Sequence, residues 1–188
     1  MKLTDLKRRV CALLDIDALK NEERLCDIID SVAKKTAVYT KCIKKSETII
    51  FEEVNGFFEA IMPADFAAFY YIRGTRSYGR ENFEIVSGKI RSAAVSAGEY
   101  ELVYYAFPPE VNTQTDGDAE IFSDGYICDI VAYGAAMELC AFVYPEDVHR
   151  YIRLATEYDE RMANALTGAN DAKTVANGFF AGTRGVFI

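Results

Sequence analysis

The sequence holds 188 residues, 51% of them hydrophobic, with a formal net charge of −8. That length suits one domain with a sizeable core, and a uniform acidic excess argues against tight binding of nucleic-acid phosphates. Five cysteines, an odd number with no C-x-x-C, argue against a disulfide frame or a zinc site.

The first predicted helix spans 4–14, with Thr4 as its cap and Leu6, Val10, Leu13 and Leu14 on one face. A second spans 22–45. Asn21 caps it, and Glu22 and Glu23 sit in its first turn, where the helix dipole favours acids. Leu25, Ile28, Ile29, Val32, Thr36, Tyr39 and Ile43 follow its 3.6-residue period. Lys34, Lys35, Lys41, Lys44 and Lys45 read as a solvated helix face.

From Glu47 the period falls to two. Residues 48–54 and 57–62 flank Asn55-Gly56, a strong hairpin signal, and Pro63-Ala64-Asp65 interrupts the return strand. Residues 66–73 form another aromatic run. Residues 82–86 and 89–92 flank Ser87-Gly88, and 100–107 is a further strand stopped by Pro108-Pro109. The middle is therefore a small, mostly antiparallel sheet of four to six strands.

After a polar loop at 110–120, Ser123 or Asp124 caps a third helix over 124–144. Ile127, Ile130, Val131, Met137, Leu139, Cys140, Phe142 and Val143 surround its axis, and Asp129 and Glu138 fall on opposite sides. Such a helix is buried in the fold or in an assembly. Tyr133, Gly134, Ala136 and Met137 are its candidate subunit-packing residues, since small residues permit close approach. The apolar window at 127–144 reads as too short and too charged to span a membrane, and the N-terminus lacks the apolar stretch of a signal peptide. All five cysteines read as reduced core residues.

Pro145 suits the first position of a fourth helix over 145–167, with Val148, Ile152, Ala155, Met162, Ala165 and Leu166 on its inner face. Glu157 and Arg161 form an i,i+4 pair, and Gly168 is its expected C-cap. Residues 169–188 read as a flexible or docking tail, with Phe179, Phe180, Val186, Phe187 and Ile188 as candidate partner-docking positions. The fold class is thus α+β. Residues 1–168 form a single domain, a four-helix layer with a β-rich insert at about 47–107, followed by an extended tail.

Chemistry-bearing patterns are sparse. His149, the single histidine, falls on the polar side of the fourth helix near its first turn and reads as an exposed helix residue rather than a catalytic base. Asp116-Gly117-Asp118 lacks the alternating acids of a calcium loop and reads as a polar turn. The glycine-rich stretch at 178–185 lacks the Lys-Ser/Thr of a phosphate loop. No catalytic residue, metal ligand or cofactor is expected.

One stretch carries a resemblance. The strand Tyr100-Glu101-Leu102-Val103-Tyr104-Tyr105 leads through Phe107-Pro108-Pro109 into the Ala/Tyr-rich helix Tyr126-Ile127-Cys128-Asp129-Ile130-Val131-Ala132-Tyr133-Gly134-Ala135-Ala136. The Pro145-Glu146-Asp147 turn and an amphipathic helix at 151–166 follow. With two N-terminal helices ahead of a β-rich insert, this layout resembles the head-to-tail connector proteins of tailed bacteriophages, also called adaptor, neck or tail tubular proteins. The resemblance implies a structural, non-enzymatic virion protein, of a phage or a prophage, assembled in the bacterial cytoplasm. It implies a homo-oligomeric ring of about twelve subunits beneath the portal. The portal and the tail or stopper proteins would be its partners, and DNA would pass through without sequence-specific binding. A second class stays open: a bacterial cytosolic protein- or ligand-binding module that uses its β-sheet surface.

Overall fold

The computed structural model describes residues 1–17 and 22–184 along the backbone, and the side chains of these as far as residue 167. Among the described residues the chain is mixed α/β, with four helices and a curled seven-stranded sheet in which every strand pair is antiparallel. The helices are α1 (Leu3–Leu14), α2 (Glu22–Thr40), α3 (Gly125–Val143) and α4 (Val148–Arg184). Two compact units divide the chain: Met1–Thr40 with Glu110–Ile188, and Lys41–Pro109.

In the helical unit α3 is the element that the others surround. Its apolar residues leave no polar stripe, so it must be enclosed, and α1, α2 and α4 all pack against it. Among the described residues α3 is the one helix long and apolar enough to cross a membrane, with 19 residues and a mean hydropathy of 1.6. The expectation that its apolar window is too short for a span is corrected on length. Its burial favours a core role: ten of its residues are buried in the unit. Asp124 starts the helix by accepting a hydrogen bond from Tyr126 N at 2.7 Å.

The close approach that Gly134 permits is made inside the chain. A Cβ there would lie 2.7 Å from both Val32 Cγ1 on α2 and Tyr158 Cε2 on α4. Glycine is therefore required where three helices meet.

Several helix ends differ from expectation. Thr4 does not cap α1; its hydroxyl donates to Gly117 O at 2.8 Å, and the N–H groups of Leu3 and Thr4 donate to Ala119 O and Gly117 O. A returning loop thus satisfies the helix start that a side-chain cap would otherwise serve. The expected cap at Asn21 lies outside the described residues. Helix α2 stops at Thr40 rather than at 45, because Lys41 takes a left-handed φ of +54°. Helix α4 starts at Val148, three residues past the expected Pro145, where Asp147 Oδ1 accepts from Arg150 N at 3.0 Å. At its other end the backbone stays helical past Gly168 to Arg184, where an extended tail was expected from residue 169. No proline interrupts this stretch, and Ala169, Ala172, Ala176 and Ala181 are strong helix formers that offset the glycines.

The sheet unit comprises β1 (Lys44–Val54), β2 (Phe57–Ile61), β3 (Phe66–Arg73), β4 (Ser77–Tyr78), β5 (Glu84–Val86), β6 (Lys89–Ser92) and β7 (Gly98–Ala106), in the order β4-β3-β7-β1-β2-β6-β5. Both predicted hairpin turns form, with positive φ at Asn55, Gly56, Ser87 and Gly88. The two-residue strand β4 has no counterpart among the expected strands. Strands β4 and β5 lie at opposite ends of the sheet yet are joined by five residues, 79–83, three of them in a 3-10 turn. That link spans at most about 21 Å, whereas a flat sheet would hold the two strands about 29 Å apart. The sheet must curl. Its concave side buries Ile49, Phe51, Ala60, Ile72, Ile90, Leu102 and Tyr104. Phe83 closes the curl from the link, with ring centroids 6.0 Å from Phe51 and 5.3 Å from Phe69. The unit begins and ends on neighbouring strands: Lys44 pairs with Tyr105, and Ala106 N donates to Ile43 O at 2.9 Å.

Replacing Gly134 by Ala is expected to destabilise the protein by about 1–3 kcal/mol through overpacking against Val32 and Tyr158. Denaturant unfolding of the two proteins measures it, and an unchanged midpoint would show that the three helices are free to move apart.

Candidate functional site

Helix α4 carries two apolar stripes, and the structure buries the one that the sequence period did not pick. Leu154 and Tyr158, four residues apart, are buried, and Ala165 lies half-buried in line with them. The expected inner face is turned about 100° away from that line. On it Val148 is 58% and Ile152 54% exposed, Leu166 is exposed as well, and Ala155 and Met162 are only half-buried; Tyr151, between the two lines, is also exposed. The expectation of an inner face through Val148, Ile152 and Leu166 is corrected accordingly. Tyr158 won because its ring fills the space left by Gly134. The second stripe, 148–166, then extends about 27 Å along the helix without a partner among the described residues.

The residues expected to pack between subunits are largely occupied within the chain. Gly134 and Ala136 are buried. Tyr133 is half-buried, with the Arg161 guanidinium 4.4 Å from its ring centroid, and Met137 is half-buried. Arg161 is itself held by Glu157 at 2.9 Å, the expected i,i+4 pair, while its carbonyl accepts from Tyr126 at 3.0 Å. The candidate docking positions Phe179, Phe180, Val186, Phe187 and Ile188 lie outside the described side chains. His149 is exposed in the first turn of α4. In the polar turn, Asp116 Oδ1 accepts from Asp118 N at 3.0 Å.

Four cysteines, Cys11, Cys26, Cys128 and Cys140, are buried, and burial pushes the thiols of Cys11, Cys128 and Cys140 up. Cys42 departs from the expected core position. It is exposed, because α2 ends two residues before it.

The convex face of the sheet unit holds the other unusual surface. Strand β1 pairs with β7 over Lys44–Phe51 but with β2 only over Glu52–Val54. Past that point the strands part and leave a groove of about 470 Å³. Ile49 and Ala60, both core residues, form its floor. Ile50, 57% exposed, and Ile61, 78% exposed, stand on either side of it.

Glu59 borders the groove with its side chain nearly out of solvent. It accepts hydrogen bonds from Lys89 at 2.9 Å and from Arg91 at 2.6 and 2.9 Å. Those bonds, with Lys89 first and Arg91 next, hold its carboxyl below the ordinary glutamate range. They also offset the like charge of Glu52, which lies directly opposite it across the β1–β2 pair. Near the start of β1, Asp65 accepts from Tyr104 Oη at 2.8 Å and pairs with Lys45. Burial would raise the Asp65 carboxyl, yet the bonds from Lys45 and Tyr104 hold it below its usual value. Burial, and then the Asp65 carboxylate, push the Tyr104 hydroxyl strongly up.

No protein-family model matches the chain, and no curated protein matches it.

The paired carboxylates fix a pH dependence. The folded values of Glu59 and Asp65 lie below their unfolded ones, so their contribution is complete above about pH 4.3 and is lost as pH falls through the folded values. Unfolding midpoints are expected to hold above about pH 4.3 and to drop as the pH falls below it. Glu59→Gln should be less stable than the parent at neutral pH and fall less steeply on acidification. Parallel pH curves for the two proteins would remove Glu59 from this account.

Proposed function

We propose that the chain is a structural assembly subunit of the phage head-to-tail connector type. It would form a ring below the portal and join the DNA-filled head to the tail. The observation that carries this reading is the second apolar stripe of α4. A monomer has no use for Val148, Tyr151, Ile152 and Leu166 in water, and burying each large side chain is worth about 1.5–3 kcal/mol. In a ring each subunit presents one surface to the next in a head-to-tail manner, and the stripe supplies one side of such an interface.

The order of elements supports the same reading. Two helices, a sheet unit at Lys41–Pro109 and two closing helices follow the connector layout that the sequence resembles. In this proposal the four helices form the layer, the sheet unit is the insert, and the segment with Phe179, Phe180, Val186, Phe187 and Ile188 meets the portal, a stopper or tail protein, or a neighbouring subunit. A net charge of −8 suits a channel through which DNA slides. The groove in the sheet unit favours a second reading, a protein-binding module that works through its sheet surface.

Light scattering and native mass spectrometry of the full chain test the ring. The parent is expected to form a closed oligomer of about twelve copies, alone or on isolated portal. The double variant Tyr151→Glu, Ile152→Glu should stay monomeric while keeping its melting temperature within a few degrees, because both side chains are exposed. A parent that remains monomeric with and without portal rules the reading out.

A further inference from the structure

We propose that the split between β1 and β2 is a receptor for an extended peptide strand from another protein, one with alternating apolar side chains flanked by lysine or arginine. The proposal stands apart from ring assembly, which is read by a different measurement.

The backbone makes the first part of the case. The β1–β2 register pairs Glu52 with Glu59, Glu53 with Phe58 and Val54 with Phe57. Carried on, it would pair Phe51 with Ala60 and Ile50 with Ile61. Neither pair forms. Phe51 and Ile50 pair only with Gly98 and Glu99 of β7, while Ala60 and Ile61 pair only with Ile90 and Lys89 of β6. Two strand edges therefore face each other across the groove without a ladder between them. In a strand, alternate residues aim both backbone groups to the same side, so over 46–51 about three N–H and three C=O groups have no strand partner there. An added strand is the ligand that such an edge matches.

The side chains define what that strand carries. A strand seated against β1 alternates its own side chains between the two faces. Those on the concave side meet Ile49, Ala60 and Met62, and those on the convex side lie beside Ile50 and Ile61. The buried concave row calls for apolar groups of modest size, and the exposed convex row, where Glu52 and Glu99 share the face of Ile50, accepts basic and polar ones. The charges select the flanks. The groove's lysine, Lys89, is already held by Glu59. Glu52 and Glu99, which flank Ile50 along and across the strands, have no ion-pair partner among the described residues. Glu47 accepts only a long bond, 3.4 Å, from Tyr104. The uncompensated charge is thus negative on the β1 side, and a basic strand is complementary to it. An acidic peptide or a phosphate would meet the same carboxylates unfavourably. At the start of β1, Lys45 is already paired with Asp65 and adds no free positive charge to the edge.

The test uses the full chain and three blocked peptides: acetyl-Lys-Val-Arg-Val-Thr-Val-Lys-amide, the same peptide with Glu for each basic residue, and the basic peptide N-methylated at its three valines. Calorimetry should show the basic peptide binding about tenfold or more tighter than the acidic one. N-methylation, which removes strand donors and leaves charge and apolarity in place, should weaken binding by a similar factor. Amide exchange at residues 46–51 should slow on binding. The double variant Glu52→Lys, Glu99→Lys should reverse the preference between the acidic and basic peptides, with circular dichroism confirming its fold. Absence of binding overturns the proposal, as does binding indifferent to N-methylation. So does exchange at 46–51 that slows with protein concentration alone and is unmoved by peptide, which would assign the edge to a second copy of this chain. Ring formation is scored separately by light scattering, so either idea can fail without the other.

Discussion

An α-helix with apolar residues on every side cannot stand at a surface, and the helical unit is organised around that constraint. Helix α3 has to be covered from all directions, so α1, α2 and α4 are all recruited to it. Gly134 then lets Tyr158 come in close, and that contact fixes the rotation of α4 about its axis. The rotation has a cost elsewhere. With Leu154 and Tyr158 turned inward, the longer apolar row from Val148 to Leu166 faces out. The exposed stripe is a consequence of how the core is filled. The start of α1 is tied into the same arrangement. The terminal ammonium donates to Phe122 O at 2.9 Å, and Lys2 bridges to Glu120, so the segment leading into α3 is secured before the helix begins.

The sheet unit answers to a different constraint, that of a short link between distant strands. Curling the sheet lets 79–83 reach from one end to the other and encloses a core of aromatic rings around Phe83. Strand β1 belongs to both halves of the curl, pairing with β7 along most of its length and with β2 at its end. It cannot follow both neighbours once they diverge. The groove opens where the shared strand leaves one partner for the other, which is why its floor consists of core residues.

Much of the fold was legible in the sequence because it was local. Asn55-Gly56 and Ser87-Gly88 specify their turns by the φ they tolerate, and Asp124 announces its helix by an oxygen within reach of Tyr126 N. What was not legible depended on distant partners. Both rows of α4 have helical spacing, and only the meeting of Tyr158 with Gly134 decides which turns inward. Ile43 continues the period of α2, yet Lys41 ends the helix and Ile43 packs with the sheet core. Thr4 has the residue type of a cap but is engaged by Gly117, more than a hundred positions away. Strand β4 is two residues long, too short to carry a pattern. Of the surfaces, the stripe on α4 was visible as a row of apolar residues but assigned to the wrong side of the wall. The groove left no trace in the sequence, because it exists only through the diverging registers of three strands.

The adjacency of Lys44 and Tyr105 has a consequence for how such a chain changes over time. A segment whose first and last strands are hydrogen-bonded neighbours presents its host with a gap no wider than that of an ordinary surface loop. Removing it, lengthening it or exchanging it for another body with neighbouring ends asks little of the helices on either side. So long as its two ends stay neighbours, the region Lys41–Pro109 can be exchanged as a cassette without a new path for the chain that encloses α3.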